Sequence, residues 1–279
     1  MTAVPMTKLP VLAPKRSTRH GPLSAATTYA LLLIPLTLVL LLLDQRVLQG
    51  ELLWLKPLKF QMSLAVMTGT LLWAVGRFGP HGGRSPWVVW PATAVAITAV
   101  YEISFLMVQA ARGVPSHFNR ETLFDALGHA LMQAGASVLV LGAAFIGVVL
   151  IIVTLWRDGL RNPMMLGTGL GLALGGALGG YTGGFIGMNG GPYVGTFSPT
   201  DPYLPVLGWS GTIGDLRVSH FFGLHTMQAM PLAALALPQS VSAPARSLAL
   251  VGLAAVGTAF TLWTLTMAQA GAPLIPLAG

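Results

Sequence analysis

The sequence predicts an all-α integral membrane protein, a bundle of about seven transmembrane helices. Mean hydropathy is +0.72 and hydrophobic residues make up 54% of the chain. Only 8% of the residues are charged, against about 25% in a soluble domain. Since so few charges cannot cover a water-exposed surface, most of the surface must face lipid. The apolar residues also cluster in stretches of about 20, the length that crosses the hydrocarbon core.

These stretches predict the position of each span along the chain. The spans are Ala26–Leu43, Leu58–Gly76, Trp87–Ala110, Ala126–Trp156, Met164–Met188, Leu216–Leu237 and Leu248–Ala268. The fourth is longer than the bilayer core requires, so we expect it to tilt or to begin in the outer interface. Residues 1–25 are rich in Pro, Thr and basic residues and are predicted to form a disordered cytoplasmic tail. Residues 26–279 then form a single transmembrane domain.

Lys and Arg predict the orientation of the bundle. The short basic loops at Arg77–Arg84 and Arg157–Arg161 are typical of segments that stay in the cytoplasm. They favour an N-terminus inside and a C-terminus outside. The cations that then lie outside are Arg46, Lys56, Lys59, Arg112, Arg120 and Arg217. Because the positive-inside rule disfavours cations there, they indicate an anionic partner.

Cysteine is absent, which excludes disulfides, thiolate metal sites and cysteine nucleophiles. No metalloprotease, kinase, P-loop or hydrolase-elbow motif is present. The net charge of +7 is modest for a membrane protein, and anionic headgroups near the cytoplasmic face account for most of it. We therefore expect the lipid bilayer, and no nucleic acid, as a partner.

The fifth span and the loop after it have unusual compositions. Glycine recurs every fourth residue from Gly167 to Gly187, beside a parallel row at Gly176, Gly180 and Gly184. Such a ridge lets neighbouring backbones approach closely; the alternative is a flat groove for a planar cofactor or a lipid tail. The long loop 189–215 follows, and loops of this length are usually functional or disordered. Its aromatic and proline content predicts an ordered cover over the outer end.

Nearly all unusual polar residues fall in the outer halves of the spans or in the outer loops. Ionisable groups at membrane depth are costly and indicate function. The rise per residue places Glu102 and His225 at one depth, as a candidate catalytic acid and base. The candidate metal or cofactor ligands are His129, His220 and His225, with Arg112 and Arg217 for the anionic groups of a cofactor. The residues expected around them are Lys59, His117, Asn119, Asp215 and Gln228.

Each candidate also has a structural interpretation. A lone histidine in a membrane often serves only as an interhelical hydrogen-bonding group. Asn119 and Asp215 occur where the N-caps of the fourth and sixth helices are expected. Arg112 and Arg217 are also suitable interfacial anchors. Glu102 has the weakest structural interpretation, because a carboxyl at that depth needs a partner.

Three stretches carry a resemblance to other proteins. Lys56–Phe60, Gln109–Asn119 and Gly214–Gln228 resemble an uncharacterised family of bacterial multi-pass inner-membrane proteins. The resemblance covers residues 50–240. It implies the bacterial inner membrane as the location of the protein and brings no activity with it.

Three functions remain open from the residues. The favoured one is a redox protein that binds haem b or a divalent metal, held by His129 together with His220 or His225. The second is a membrane enzyme that acts on a lipid or a quinone-like substrate through Glu102 and His225. The third is a transporter, or a non-catalytic protein that binds a lipophilic or anionic small molecule at the outer face.

Overall fold

The computed structural model describes residues 20–48, 50–198 and 200–277. Within them seven long helices form the bundle that the sequence predicts. They are α1 (Gly21–Leu43), α2 (Leu55–Arg77), α3 (Pro86–Arg112), α4 (Leu123–Arg157), α5 (Pro163–Met188), α6 (Leu216–Ala236) and α7 (Ala243–Gln269). A short helix at Gly79–Gly82 and a 3-10 turn at Gly159–Arg161 occupy the predicted inner connections.

Six of the seven helices are long and apolar enough to cross a membrane. The exception is α6, which has 21 residues but carries several polar side chains, among them Arg217, His220, His225 and Gln228. The chain therefore has the character of a multi-pass membrane protein. Its orientation, with the N-terminus inside, stays a prediction.

The first helix begins earlier than the predicted span. His20 is its N-cap and accepts a hydrogen bond from the backbone N–H of Leu23 at 3.3 Å. Gly21 and Pro22 open the helix, and proline is suited to a first turn because that turn lacks hydrogen-bond acceptors for its N–H groups. Residues 1–19, which carry most of the predicted basic tail, lie outside the described residues.

Helix α5 lies at the centre of the larger group of helices, α4 to α7. It packs along α4 on one side and α6 on the other, and it also contacts α7. The smaller group consists of α1, α2 and α3. The two groups are joined chiefly by the packing of α3 along α4, whereas α2 contacts α6 at only a few positions.

The glycines in the inner and middle turns of α5 allow neighbouring backbones to approach closely, as the sequence predicts. A Cβ added to Gly171 would lie 2.9 Å from the carbonyl oxygen of Thr226 on α6. One added to Gly176 would lie 2.7 Å from the backbone nitrogen of Ala144 on α4. Only glycine permits both approaches. The outermost glycines, Gly184 and Gly187, have no such neighbour within 4 Å.

The inner half of the bundle holds the main apolar core. Leu71, Val95, Ile146 and Leu150 come from α2, α3 and α4 and are each 0% exposed. This region accounts for most of the largest cluster of buried apolar side chains. As the sequence predicts, the polar chemistry lies toward the other end.

Toward its outer end α4 rests on α3. A Cβ added to Gly128 would meet the ring of Phe105, and one added to Gly135 would lie 2.9 Å from Glu102 Oε1. The opposite face of this segment is open, with Leu127 56% and Leu131 57% exposed. The outer turns of α4 therefore present an apolar surface suited to lipid.

The described parts of the loop 189–215, which exclude residue 199, are held together by β-pairing and lie against the start of α6. Tyr193–Val194 pairs antiparallel with Gly214–Asp215, which draws the two ends of the loop together. A β-bridge between Tyr203 and Ser210 closes its middle, and Trp209 between them is 7% exposed. At the outer end of α1, the strands Val47–Leu48 and Glu51–Leu52 form a small hairpin.

Candidate functional site

Four of the outer cations are already paired with carboxylates. The nitrogen–oxygen distances run from 2.5 to 3.1 Å, in the pairs Arg46–Asp44, Lys59–Glu51, Arg112–Asp125 and Arg217–Asp215. The hydrogen bonds from Arg46, and then from Trp54, hold the pKa of Asp44 well below its usual range. Among the described residues, the two outer cations without a salt bridge are Lys56 and Arg120.

Arg112 fastens the corner between α3 and α4. It donates to Asp125 Oδ1 at 2.5 Å and to Gln109 Oε1, while Gln109 Nε2 donates to the same Oδ1 at 2.7 Å. Thr122 caps α4 by accepting from the backbone N–H of Asp125, so the expectation that Asn119 is the cap is wrong. Asp125 was not a predicted site residue, although its position three residues after Thr122 is the spacing of a capping box.

Arg217 fastens the long loop to the start of α6. It bonds to both oxygens of Asp215, to Tyr193 Oη at 2.8 Å and to the carbonyl of Gly208 at 2.5 Å. Asp215 accepts from the backbone N–H of Arg217 at 3.0 Å, which confirms it as the cap of α6. The guanidinium that the sequence assigned to an anionic cofactor therefore bonds, through Nε and Nη2, to a carboxylate, a phenol oxygen and a backbone carbonyl of the chain itself.

Of the two outer cations without a salt bridge in the described ranges, Lys56 is half-buried and Arg120 is exposed. Lys56 lies at the start of α2, where the charges of Glu51, Lys59 and Arg217 act on it. Glu51 accepts from Lys59 at 3.1 Å and does not bond to Lys56. No hydrogen bond to Lys56 occurs within the described part of the chain. Sequence reasoning placed Lys59 in the site and left Lys56 outside it.

His117 and His129 meet beside Lys56. Their ring centroids are 6.4 Å apart, and the ring of Phe60 on α2 lies 5.8 Å from that of His117. Burial, and then the charge of Lys56, lowers the pKa of His117 to about 3. His117 is therefore neutral at physiological pH, and Lys56 supplies the positive charge of this corner.

The backbone of Phe118 sets the protonation of His129. Phe118 has a φ of 60°, a left-handed conformation that is uncommon for a bulky residue. It directs its N–H to His129 Nδ1 at 3.2 Å. Because Nδ1 accepts, the proton of the neutral ring lies on Nε2. That Nε2–H is buried and has no partner among the described residues.

Asn119 presents a second buried donor of the same kind. Its Oδ1 accepts from the backbone N–H of Glu121 at 3.0 Å, which fixes the amide orientation and leaves Nδ2 as the free end. Nδ2 is buried without a partner within the described residues, and the side chain is 6% exposed. We define Lys56, Asn119 and His129 as the donor corner, because their free polar atoms all donate.

The two histidines of α6 have the opposite polarity. Thr182 gives its hydroxyl proton to Leu178 O at 2.7 Å, so its oxygen accepts from His220 Nδ1 at 3.3 Å. His225 Nδ1 lies 3.2 Å from Gln228 Oε1, which only accepts. In both rings the lone pair is therefore on Nε2. We call these two rings the acceptor face of α6.

Glu102 stands apart from both groups. It is 2% exposed and its Oε1 has no hydrogen-bond partner in the described chain. It lies against α4 at Gly135. No hydrogen bond joins Glu102 to His225, so their pairing as acid and base stays a prediction.

No set of three or more His, Asp or Glu side chains in the described ranges is arranged to hold a metal ion. The histidines instead divide into the pair His117 and His129 and the pair His220 and His225. Comparison of the chain with protein families, with curated proteins and with solved structures found no match.

Proposed function

We propose that this multi-pass membrane protein binds the anionic headgroup of an amphipathic molecule at the donor corner. The observation that carries the proposal is the chemistry of its free atoms. The charge of Lys56, which is half-buried and forms no salt bridge among the described residues, acts on His117, and the ring of His117 lies 6.4 Å from that of His129. His129 Nε2 and Asn119 Nδ2, the latter two residues after His117, are buried N–H donors without an acceptor in the described part of the chain. Each unsatisfied buried donor costs about 1–3 kcal/mol, and an anionic oxygen that accepts from it removes that cost.

The surroundings of the corner favour an amphiphile over a free anion. Apolar side chains at the start of α4 are exposed beside it, with Leu123 at 76% and Phe124 at 53%. Phe118, within the corner loop, is 43% exposed. An acyl chain can lie on this apolar surface while its headgroup reaches the donors. Non-catalytic binding is the function that these contacts support best.

Titration with a defined anionic lipid tests the proposal. We would add dioleoyl phosphatidylglycerol or dioleoyl phosphatidylcholine to the protein in neutral detergent and count bound lipids by native mass spectrometry. The preference for phosphatidylglycerol should fall about tenfold in Lys56→Gln, since a hydrogen bond to a charged group contributes about 1.5–3 kcal/mol. Arg120→Gln is the matched control, because Arg120 is also unpaired but exposed. An equal preference in parent and Lys56→Gln would overturn the proposal.

A second measurement distinguishes a lipid headgroup from a free anion. Inorganic phosphate offers the same oxygens without a tail. If the amphiphile is required, phosphate should leave the melting temperature unchanged at concentrations where phosphatidylglycerol raises it. A phosphate shift of equal size, lost in Lys56→Gln, would assign the corner to a soluble anion.

Haem or a divalent metal is a second candidate, favoured by the free lone pairs on His220 and His225. His129 offers an N–H in place of a lone pair, so such a site would lie on α6 and would not bridge α4 and α6. An absorbance spectrum with a Soret band, or stoichiometric metal in the purified protein, would support it. If His225→Ala lost that signal and His129→Ala kept it, the haem or metal site would be assigned to α6.

A further inference from the structure

His225 ends a chain of hydrogen bonds that runs from α2 to α6. Thr70 gives its hydroxyl proton to Val66 O at 2.7 Å, so its oxygen accepts from Gln228 Nε2 at 3.0 Å. The amide oxygen of Gln228 is thereby turned toward His225 Nδ1, at 3.2 Å. With the amide of Gln228 in this orientation, the chain holds His225 in the tautomer with a free lone pair on Nε2.

Aromatic rings line the same stretch of α6. The ring of Phe221, one turn before His225, lies 4.2 Å from the imidazole, centroid to centroid. Trp209 of the long loop meets Phe221 edge-on at 5.3 Å. His225 and Phe221 are both half-buried. A fixed acceptor next to aromatic faces suits a flat ring that carries a hydroxyl, because the ring stacks or packs edge-on while the hydroxyl donates.

We infer that the α6 site formed by His225 and Phe221 binds a lipophilic phenol or hydroquinone, whose hydroxyl donates a hydrogen bond to His225 Nε2. Gln228 and Thr70 act as positioning residues that set the tautomer of His225. The inference is independent of the donor corner, because the two places share no hydrogen bond and have opposite polarity. A ligand hydroxyl satisfies the lone pair that the bonding chain leaves free.

A pair of probes that differ only at the hydroxyl tests this inference. 4-Nonylphenol carries the donor, and 4-nonylanisole replaces it with a methyl ether. Binding to the full-length protein in neutral detergent would be followed by quenching of tryptophan fluorescence. The phenol should bind about tenfold more tightly than the anisole, the value of one hydrogen bond to a well-placed acceptor.

Variants of His225 show whether that ring is the acceptor. His225→Phe keeps an aromatic ring without a lone pair, and it should bind phenol and anisole equally. His225→Gln keeps an acceptor, and it should retain part of the preference. Equal binding of both probes by the parent protein, or an unchanged preference in His225→Phe, would overturn the inference. Failure of both probes to bind the parent protein would also overturn it.

Gln228→Leu separates positioning from packing. It removes the amide that holds Nδ1–H, so the proton is free to move to Nε2. We expect the phenol preference to fall about threefold. The ¹⁵N NMR signals of His225 should shift toward the other tautomer, which a purely structural role would not produce. An unchanged tautomer in Gln228→Leu would show that the chain from Thr70 does not position the ring.

Discussion

The donor corner and the acceptor face use the same residue type for opposite purposes. His129 accepts at Nδ1 from a strained backbone N–H and is left with a buried donor at Nε2. His225 donates at Nδ1 to an amide oxygen and is left with an acceptor at Nε2. One bond at one nitrogen therefore decides whether a membrane histidine attracts an anion or a hydroxyl.

The buried and half-buried cations of this outer end have two different roles. Arg112 and Arg217 fix the corner loop and the long loop through buried carboxylates, Asp125 and Asp215. Lys56 is close enough to both loops for its charge to interact with Arg217 and to act on His117, and it forms no salt bridge among the described residues. The two arginines thus hold the two loops in place, and Lys56 is the cation that we propose contacts the ligand.

The largest predicted effect is in cysteine labelling, which is all-or-none. It tests whether the donor corner and the acceptor face lie on the outer side of the membrane. The chain has no cysteine, so Thr200→Cys and Ser240→Cys each introduce a single thiol, and both positions are exposed. In intact cells an impermeant maleimide should label Thr200→Cys and leave Ser240→Cys unlabelled. Labelling of Ser240→Cys alone would reverse the orientation and place both regions at the cytoplasmic face.

The helices and the polarity gradient were predictable because both depend on hydropathy, which each residue carries by itself. The partners of the charges were not. Arg112 and Arg217 were expected to meet a ligand, yet each bonds to a carboxylate within a short stretch of sequence, Asp125 and Asp215. Choosing between a ligand and an internal partner requires the geometry of the turn, which sequence spacing does not specify.

The tautomers of the histidines were also not predictable from the sequence. Sequence reasoning grouped His129 with His220 and His225 as equivalent ligands. Their difference arises from a left-handed φ at Phe118 and from a contact between Gln228 and Thr70, residues 158 positions apart. Neither feature has a signal in hydropathy or periodicity.

Removing the carboxylate that fastens the corner should give the largest change in stability. Asp125→Ala leaves Arg112 and Gln109 without their shared acceptor and removes the carboxylate that accepts from Thr122, so we expect the melting temperature to fall. Phosphatidylglycerol binding should fall with it, while phenol binding at α6 is kept. Differential scanning fluorimetry measures the first effect. Glu121→Ala, an exposed acid in the same loop, should leave both unchanged.

A substitution in the glycine ridge should have the opposite selectivity. It should disturb the packing of α5 against α6 and leave the donor corner unchanged. A Cβ at Gly175 would lie 2.9 Å from the backbone nitrogen of Met227, so Gly175→Ala should destabilise the protein by about 1–3 kcal/mol through overpacking. Gly184→Ala is the matched control on the same helix, because nothing lies within 4 Å of its added Cβ. Equal melting temperatures for the two variants would contradict the tight contact of α5 with α6.

A smaller effect should appear in the dependence of stability on pH. Because burial lowers the pKa of His117 to about 3, the unfolded chain binds the extra proton first, near its usual pKa of about 6.5. Stability should therefore be complete above about pH 6.5 and fall as the pH drops toward 3. We expect about 1 kcal/mol between pH 7 and pH 5, reduced by the partial exposure of the ring. His117→Gln should flatten this slope, and an unchanged slope would show that another group titrates.

The smallest effect concerns the strained residue that sets the polarity of the donor corner. Phe118→Gly removes the side chain that a left-handed φ of 60° disfavours by about 1–2 kcal/mol. The substitution also raises the conformational entropy of the unfolded chain and removes the contact with the His129 ring, and both changes destabilise the protein. The net change should be a stabilisation of about 0.5 kcal/mol or less. Val206→Gly is the matched control, since Val206 has a φ of 67° outside both regions. Because glycine keeps the N–H that donates to His129, Phe118→Gly should keep the preference for phosphatidylglycerol. Loss of that preference without a change in the control would mean that the phenyl ring, and not the backbone N–H, organises the corner.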